Sequence, residues 1–333
     1  MTAIRTIGVI GAGAWGTALA QTARLAGRDV ALWAREAEVA NEINSAHRNS
    51  VFLPGVPLDE GIVATGDLAE IAEREAILLV PPAQHVRETA KVLAPLLVPG
   101  TPVVVCAKGI EQATGKLMGD VLAEALPTAT LAVLSGPSFA ADVARGLPAA
   151  LTLSTADAAL GQRLAEAVGY RNFRLYWSDD TVGVQLGGAV KNVLAIAAGI
   201  VDGKQLGASA HAAIVTRGFA EMRRLGEAMG ARAETLAGLS GLGDLVLTCG
   251  SPQSRNMSLG RALAQGQRLE DVVGARRSVA EGVYTAAAVV RLAGEHAIEM
   301  PIASAVHAIV TGALDVDTAI DALLSRPFRA ETT

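Results

Sequence analysis

The stretch Ile4-Arg5-Thr6-Ile7-Gly8-Val9-Ile10-Gly11-Ala12-Gly13-Ala14-Trp15-Gly16-Thr17-Ala18-Leu19 decides the fold. An apolar, β-branched run from Ile4 to Ile10 reads as a buried strand, and the alanine-rich sequence from Thr17 to Ala26 reads as a helix. Between them lies Gly-x-Gly-x-x-Gly. Gly11 makes the tight turn, Gly13 lets the backbone approach a pyrophosphate, and Gly16 lets helix and strand pack closely, with Ala14 and Trp15 completing the loop. The first N–H groups of such a helix are unpaired and lie at the positive end of its dipole, so they suit phosphate. A second strand, Asp29 to Trp33, follows at the spacing a dinucleotide-binding unit requires. A glycine-rich turn in another α/β protein would share the composition, but not this context. The first charged residue after the second strand is Arg35, where a reader of the NAD ribose hydroxyl would place Asp or Glu. An arginine suits the 2′-phosphate of NADP instead. The neighbouring Glu36 weakens that preference, and a solvated surface arginine is the plainer alternative.

Outward from this unit, strand-like runs recur at Ala76 to Val80, Thr101 to Ala107, Leu131 to Leu134, Ala149 to Leu153 and Phe173 to Tyr176. Strands alternating with helices predict an α/β fold, an N-terminal Rossmann-type doubly wound sheet, mainly parallel. The texture changes at Ser178-Asp179-Asp180, a helix N-cap sequence. Beyond it the helices expected are Thr181 to Ile200, Ala208 to Met229, Asn256 to Gln265, Val283 to Glu295 and Ile302 to Thr311. The chain therefore divides into residues 1–180, binding the dinucleotide, and 181–333, an all-helical domain for substrate.

The 333 residues are comfortable for two cores. A net charge of −5 with scattered basic residues, and aromatics at only 3%, argue against a nucleic-acid surface. The long apolar stretch Leu186 to Val201 is short for a bilayer span and contains Lys191 and Asn192. Strand-like sequence begins at Ile4, which leaves no room for a signal peptide. Cys106 and Cys249 read as buried free thiols, and no metal-ligand spacing occurs, so a cytoplasmic enzyme without metal is expected.

Ligands of an open parallel sheet bind beyond the carboxyl ends of its strands. Three ends stand out: Val80-Pro81-Pro82, a stiff ledge; Cys106-Ala107-Lys108-Gly109, with Lys108 at the crevice mouth; and Ser135-Gly136-Pro137-Ser138. Lys191 lies in otherwise apolar helical sequence, Gly187-Gly188-Ala189-Val190-Lys191-Asn192. Its side chain leans over the preceding turn, where the glycine pair leaves a notch expected to hold a small anion beside the ammonium. Gly238-Leu239-Ser240-Gly241-Leu242-Gly243-Asp244 brings Asp244 in on close-packed backbone. Ser254-Arg255-Asn256 offers a cap, a guanidinium and free N–H groups, a phosphate seat or an ordinary N-cap.

Taken together, Gly11 to Ala20, Ala107-Lys108-Gly109, Ser135 to Ala140, Gly183 to Asn192, Gly241 to Cys249 and Gln253-Ser254-Arg255-Asn256 resemble the bacterial NAD(P)-dependent glycerol-3-phosphate dehydrogenases nearly end to end. The resemblance implies reduction of dihydroxyacetone phosphate to sn-glycerol 3-phosphate for phospholipid synthesis, generally by a homodimer. It implies Lys191 as proton donor and acceptor, Lys108 beside it, and Asp244 holding the lysines. Gly136, Ser138, Asn192, Thr248, Ser254, Arg255 and Asn256 would meet substrate. Trp15, Arg35, Lys108, Ala140, Arg255, Val279 and Glu281 would meet the cofactor. The alternatives are a two-domain dehydrogenase of another hydroxy acid, sugar phosphate or acyl-CoA, or a dinucleotide sensor without turnover.

Overall fold

The computed structural model describes residues 3–274, 280–328 and 330–331; Val279 lies outside them. Ten strands follow one another along the described chain: β1 (Thr6–Ile10), β2 (Asp29–Trp33), β3 (Arg48–Asn49), β4 (Leu53–Pro57), β5 (Ile62–Thr65), β6 (Ala76–Leu79), β7 (Pro102–Val105), β8 (Thr130–Ser135), β9 (Ala149–Ser154) and β10 (Phe173–Ser178). Eight form one sheet in the order β10-β9-β8-β7-β6-β1-β2-β5, and β3 with β4 makes a small antiparallel pair. Every sheet pairing is parallel except β8 with β9. Reversal of β9 was not expected from the strand pattern. The link from β8 holds only the one-turn helix Ala140–Ala144, whereas a parallel return usually needs a longer crossover.

Both faces of the sheet are buried. Ile7, Val9, Val30, Leu32 and Val104 point to one layer, while Ile10, Ile77, Leu79, Val103 and Val105 point to the other. This explains the near-continuous apolar runs. Register aligns the carboxyl ends: Ile10 sits beside both Trp33 and Leu79, Leu79 beside Val105, and Val105 beside Val133. The loops starting at Gly11, Val80, Cys106 and Gly136 therefore open on one edge of the sheet.

From Thr181 onward the described chain is helical. Asp180 caps the helix Thr181–Gly203, its Oδ1 accepting the Gly183 N–H at 2.8 Å, while Oδ2 accepts the Arg232 N–H at 2.8 Å. Every residue from Gly183 to Val201 is buried. This is the one helix among the described residues long and apolar enough to cross a membrane, and its apolar window lies wholly inside the protein. The helices Ala208–Ala228, Asp244–Gly250, Arg255–Ala264, Glu281–Glu295 and Pro301–Val310 pack around it. The closest of these is Arg255–Ala264. A Cβ on Gly260 would lie 2.0 Å from the Ile196 carbonyl oxygen, and one on Gly199 would lie 2.0 Å from that of Met257.

Candidate active site

At the cofactor end, Gly11 adopts φ +113°, open to glycine at little cost, and a Cβ on Gly16 would lie 1.8 Å from the Gly11 carbonyl oxygen. The missing side chain of Gly13 faces open space. Gly13 is the N-cap of the helix Ala14–Leu25, and no side chain caps that helix. Its first N–H groups thus meet a cradle free of side chains, and the residues present fit a pyrophosphate. The Trp15 Nε1 is buried with no partner among the described residues. Ala140 begins the helix Ala140–Ala144, which packs on Ala14–Leu25. At the end of β2, the Arg35 guanidinium is held by Glu36: Nε and Nη2 donate to Oε1 at 3.0 and 2.6 Å.

Across the crevice, one carboxylate joins two lysines that come from different halves of the chain. Lys108, past the end of β7, donates from Nζ to Asp244 Oδ2 at 2.8 Å and to the Gly136 carbonyl oxygen at 2.6 Å. Lys191, in the long helix, donates to Asp244 Oδ1 at 2.8 Å and to Thr248 Oγ1 at 2.8 Å. Asp244 is fully buried, Lys191 is 8% exposed, and Asp244 begins a helix, where a carboxylate is favoured. An ammonium carries three donors, so after these bonds one N–H on each lysine is left for a substrate oxygen. Burial pushes the Lys191 ammonium down to about 8; Lys108 adds to that, and Asp244 opposes it.

The glycine pair before Lys191 does not leave a notch. A Cβ on Gly187 would lie 2.7 Å from the Ser240 carbonyl oxygen and 2.8 Å from Gly241 Cα, while one on Gly188 would lie 2.3 Å from Ser135 Oγ. The space belongs to the π-turn Leu239–Gly243 and the end of β8. Gly187 thus seats the turn that delivers Asp244 beneath Lys191, and Gly188 seats the end of β8. The ammonium's anion is this carboxylate.

Ser254 caps the helix Arg255–Ala264, its Oγ accepting the Met257 N–H at 3.2 Å. Asn256 Nδ2 donates to Asn192 Oδ1 at 2.9 Å, and Asn256 Oδ1 accepts the Gly282 N–H at 3.0 Å. Asn192 Nδ2 in turn donates to the carbonyl oxygens of Lys108 and Gly188, each at 3.3 Å. Both asparagines therefore tie the start of the helix Arg255–Ala264 to the Lys108 and Lys191 segments. Ser138 Oγ donates to the Gly136 carbonyl oxygen at 3.1 Å. Glu281 Oε1 accepts the N–H of Ala83, after the proline ledge, at 3.1 Å, and its Oε2 is buried without a partner among the described residues. Burial raises the Glu281 carboxyl, against the Ala83 bond and the Arg255 charge.

These groups face one another where the sheet edge meets the helical half. The sequence from 6 to 161 matches the family model for the NAD-dependent glycerol-3-phosphate dehydrogenase N-terminus, and 180 to 321 matches that for its C-terminus. The chain belongs to the NAD-dependent glycerol-3-phosphate dehydrogenase family. It is 64% identical over 330 residues to the glycerol-3-phosphate dehydrogenase [NAD(P)+] of Parvibaculum lavamentivorans, covering 99% of each chain. It is 60% identical to that of Rhodospirillum rubrum, covering 98% of this chain and 93% of the relative. The crystal structure of the Coxiella burnetii glycerol-3-phosphate dehydrogenase superposes with a TM-score of 0.92 at 40% identity, covering 97% of this chain and 99% of that one.

For a glycerol-3-phosphate dehydrogenase, the sequence reading omitted Thr285 and Ala83. Thr285 buries an unpartnered Oγ1 near Gly109, one helical turn after Glu281. That i, i+4 spacing, with the apolar run Ala286 to Val290 directly after it, was the available clue.

Proposed function

We propose that this enzyme reduces dihydroxyacetone phosphate to sn-glycerol 3-phosphate with NADPH or NADH, reversibly, to supply glycerophospholipid synthesis. The observation that carries the reading is the pair of ammonium groups, Lys108 and Lys191, held on the single buried carboxylate of Asp244. When bound, the nicotinamide supplies or takes the hydride. Lys191 gives the carbonyl oxygen its proton and takes it back in reverse, and the developing negative charge is met by both ammonium groups. Asp244 holds the lysines at one oxygen-sized point, and Thr248 fixes the Lys191 head. Arg255, with the N-terminal N–H groups of its helix and with Ser254, Asn256 and Asn192, forms the phosphate seat. Gly136 and Ser138 border the substrate. Gly11, Gly13, Ala14, Trp15 and Gly16 hold the pyrophosphate, and Arg35, Lys108, Ala140, Arg255, Val279 and Glu281 complete the cofactor site.

The same reading divides the chain at 180/181, with the dinucleotide's pyrophosphate held by the first part and the substrate phosphate by the second, which also adds Arg255, Val279 and Glu281 to the cofactor site. It places the enzyme in the cytoplasm as a homodimer; the buried, unpaired thiols of Cys106 and Cys249 support a reducing compartment. The test is absorbance at 340 nm with each reduced cofactor, with and without dihydroxyacetone phosphate. Loss of absorbance only with the triose phosphate is the expected result. Cofactor binding with no such turnover would overturn the reading in favour of another substrate or a sensor.

A further inference from the structure

The pairing of Arg35 with Glu36 has a consequence for cofactor choice, resting on the dehydrogenase reading above. The end of β2 is the place where a dinucleotide fold reads the ribose 2′ position. Here it is fixed from two sides, by the Gly11 N–H on the Trp33 carbonyl oxygen at 3.1 Å and the Ala34 N–H on the Thr65 carbonyl oxygen at 2.9 Å. Arg35 follows directly, its side chain 76% exposed, with Glu36 at 30%. Glu36 is the N-cap of the helix Ala37–Ala46, yet its carboxylate does not cap that helix. It turns back and takes Nε and Nη2 of Arg35 together on Oε1. That edge of the guanidinium is one a phosphate oxygen would take.

We infer that Glu36 is a specificity-determining residue, an internal substitute for the 2′-phosphate that holds the enzyme near balance between NADP and NAD. A 2′-phosphate has to draw Arg35 away from Glu36 and then bear the charge of the displaced carboxylate. A 2′-hydroxyl carries no such charge and can donate its proton to Glu36. The carboxylate therefore penalises NADP and leaves NAD unpenalised, while the arginine keeps NADP acceptable.

The experiment measures Kd for NADPH and NADH by nicotinamide fluorescence on the full chain without triose phosphate. It compares the parent protein, Glu36→Gln, Glu36→Ala, Arg35→Ala and the doubly substituted Arg35→Ala, Glu36→Gln. Removing a unit charge beside a dianion in a water-like dielectric tightens NADPH by about tenfold. Glu36→Gln and Glu36→Ala are expected to do this with NADH unchanged or weaker. The gain is smaller when Arg35→Ala is also present, because the part that comes from competition for that guanidinium is then gone and only the carboxylate's repulsion of the phosphate is left to remove. A merely structural role for Glu36 would move both dinucleotides together, and that result, or a ratio of Kd values unmoved by either substitution, overturns the inference. Failure of the parent protein to bind either dinucleotide would instead overturn the dehydrogenase reading on which the inference stands.

Discussion

Burial brings the Lys191 ammonium to about 8, and this sets an expected pH dependence. In reduction, the protonated form is the donor, so kcat is level below about pH 8 and falls as pH rises through it. In oxidation the neutral amine is the acceptor, so the rate rises over the same interval. Lys191→Met removes the donor and lowers kcat by roughly 10²- to 10⁴-fold, with cofactor binding retained. Rates in both directions between pH 6.5 and 9.5 check this, and a level reduction rate up to pH 9.5 would remove Lys191 from the role. At this scale the sequence was only partly legible. A lysine in an apolar helix announced itself because a buried cation needs a partner. Its partner comes from fifty-three positions away in the chain, and no local pattern links the two. The glycine pair misled for the same reason: an absent side chain is visible in sequence, but the backbone that fills its place is not.

Among the elements, strands were legible where β-branched runs end at glycine or proline, and the long helices where apolar residues recur around a capping aspartate. The edge strand β5 (four residues) and the hairpin strand β4, Leu-Pro-Gly-Val-Pro, were not expected. They are short, and proline breaks the pattern of the latter. One helix start carries a prediction. Glu221, buried in Ala208–Ala228, accepts the N–H groups of Ile302 and Ala303 at 2.8 and 3.2 Å, capping Pro301–Val310 from another helix. Burial pushes its carboxyl up to about 7, against those two bonds. A carboxyl raised on folding favours the native state in its protonated form, so that contribution is complete below about pH 4.5 and lost as pH rises through about 7. The stability of the parent relative to Glu221→Gln is expected to fall by on the order of 3 kcal/mol across this window. Urea unfolding of both proteins at pH 5 and pH 8 measures the difference, and parallel profiles would contradict the assignment.

For the molecule as a whole, Asp244 is where the two halves are joined through charge. Lys108 belongs to the sheet, Lys191 to the helical core, and Asp244 to the turn seated on Gly187. The carboxylate thus joins the halves and, in the function proposed above, also holds the lysines for the chemistry. Asp244→Asn leaves a buried cation, Lys191, and a partly buried one, Lys108, sharing a neutral amide, and breaking a buried pair from one side costs about 3–5 kcal/mol. The expected outcome is a Tm lowered by several degrees together with loss of turnover. Inorganic phosphate or glycerol 3-phosphate should recover part of the Tm, since an anion bound between the halves replaces some of the missing charge. Thermal unfolding with and without these anions gives the measurement. If Asp244→Asn keeps the parent Tm, the lysines find water in place of the carboxylate, and the two halves are held together by apolar packing and by bonds such as that of the Ala83 N–H to the Glu281 carboxylate.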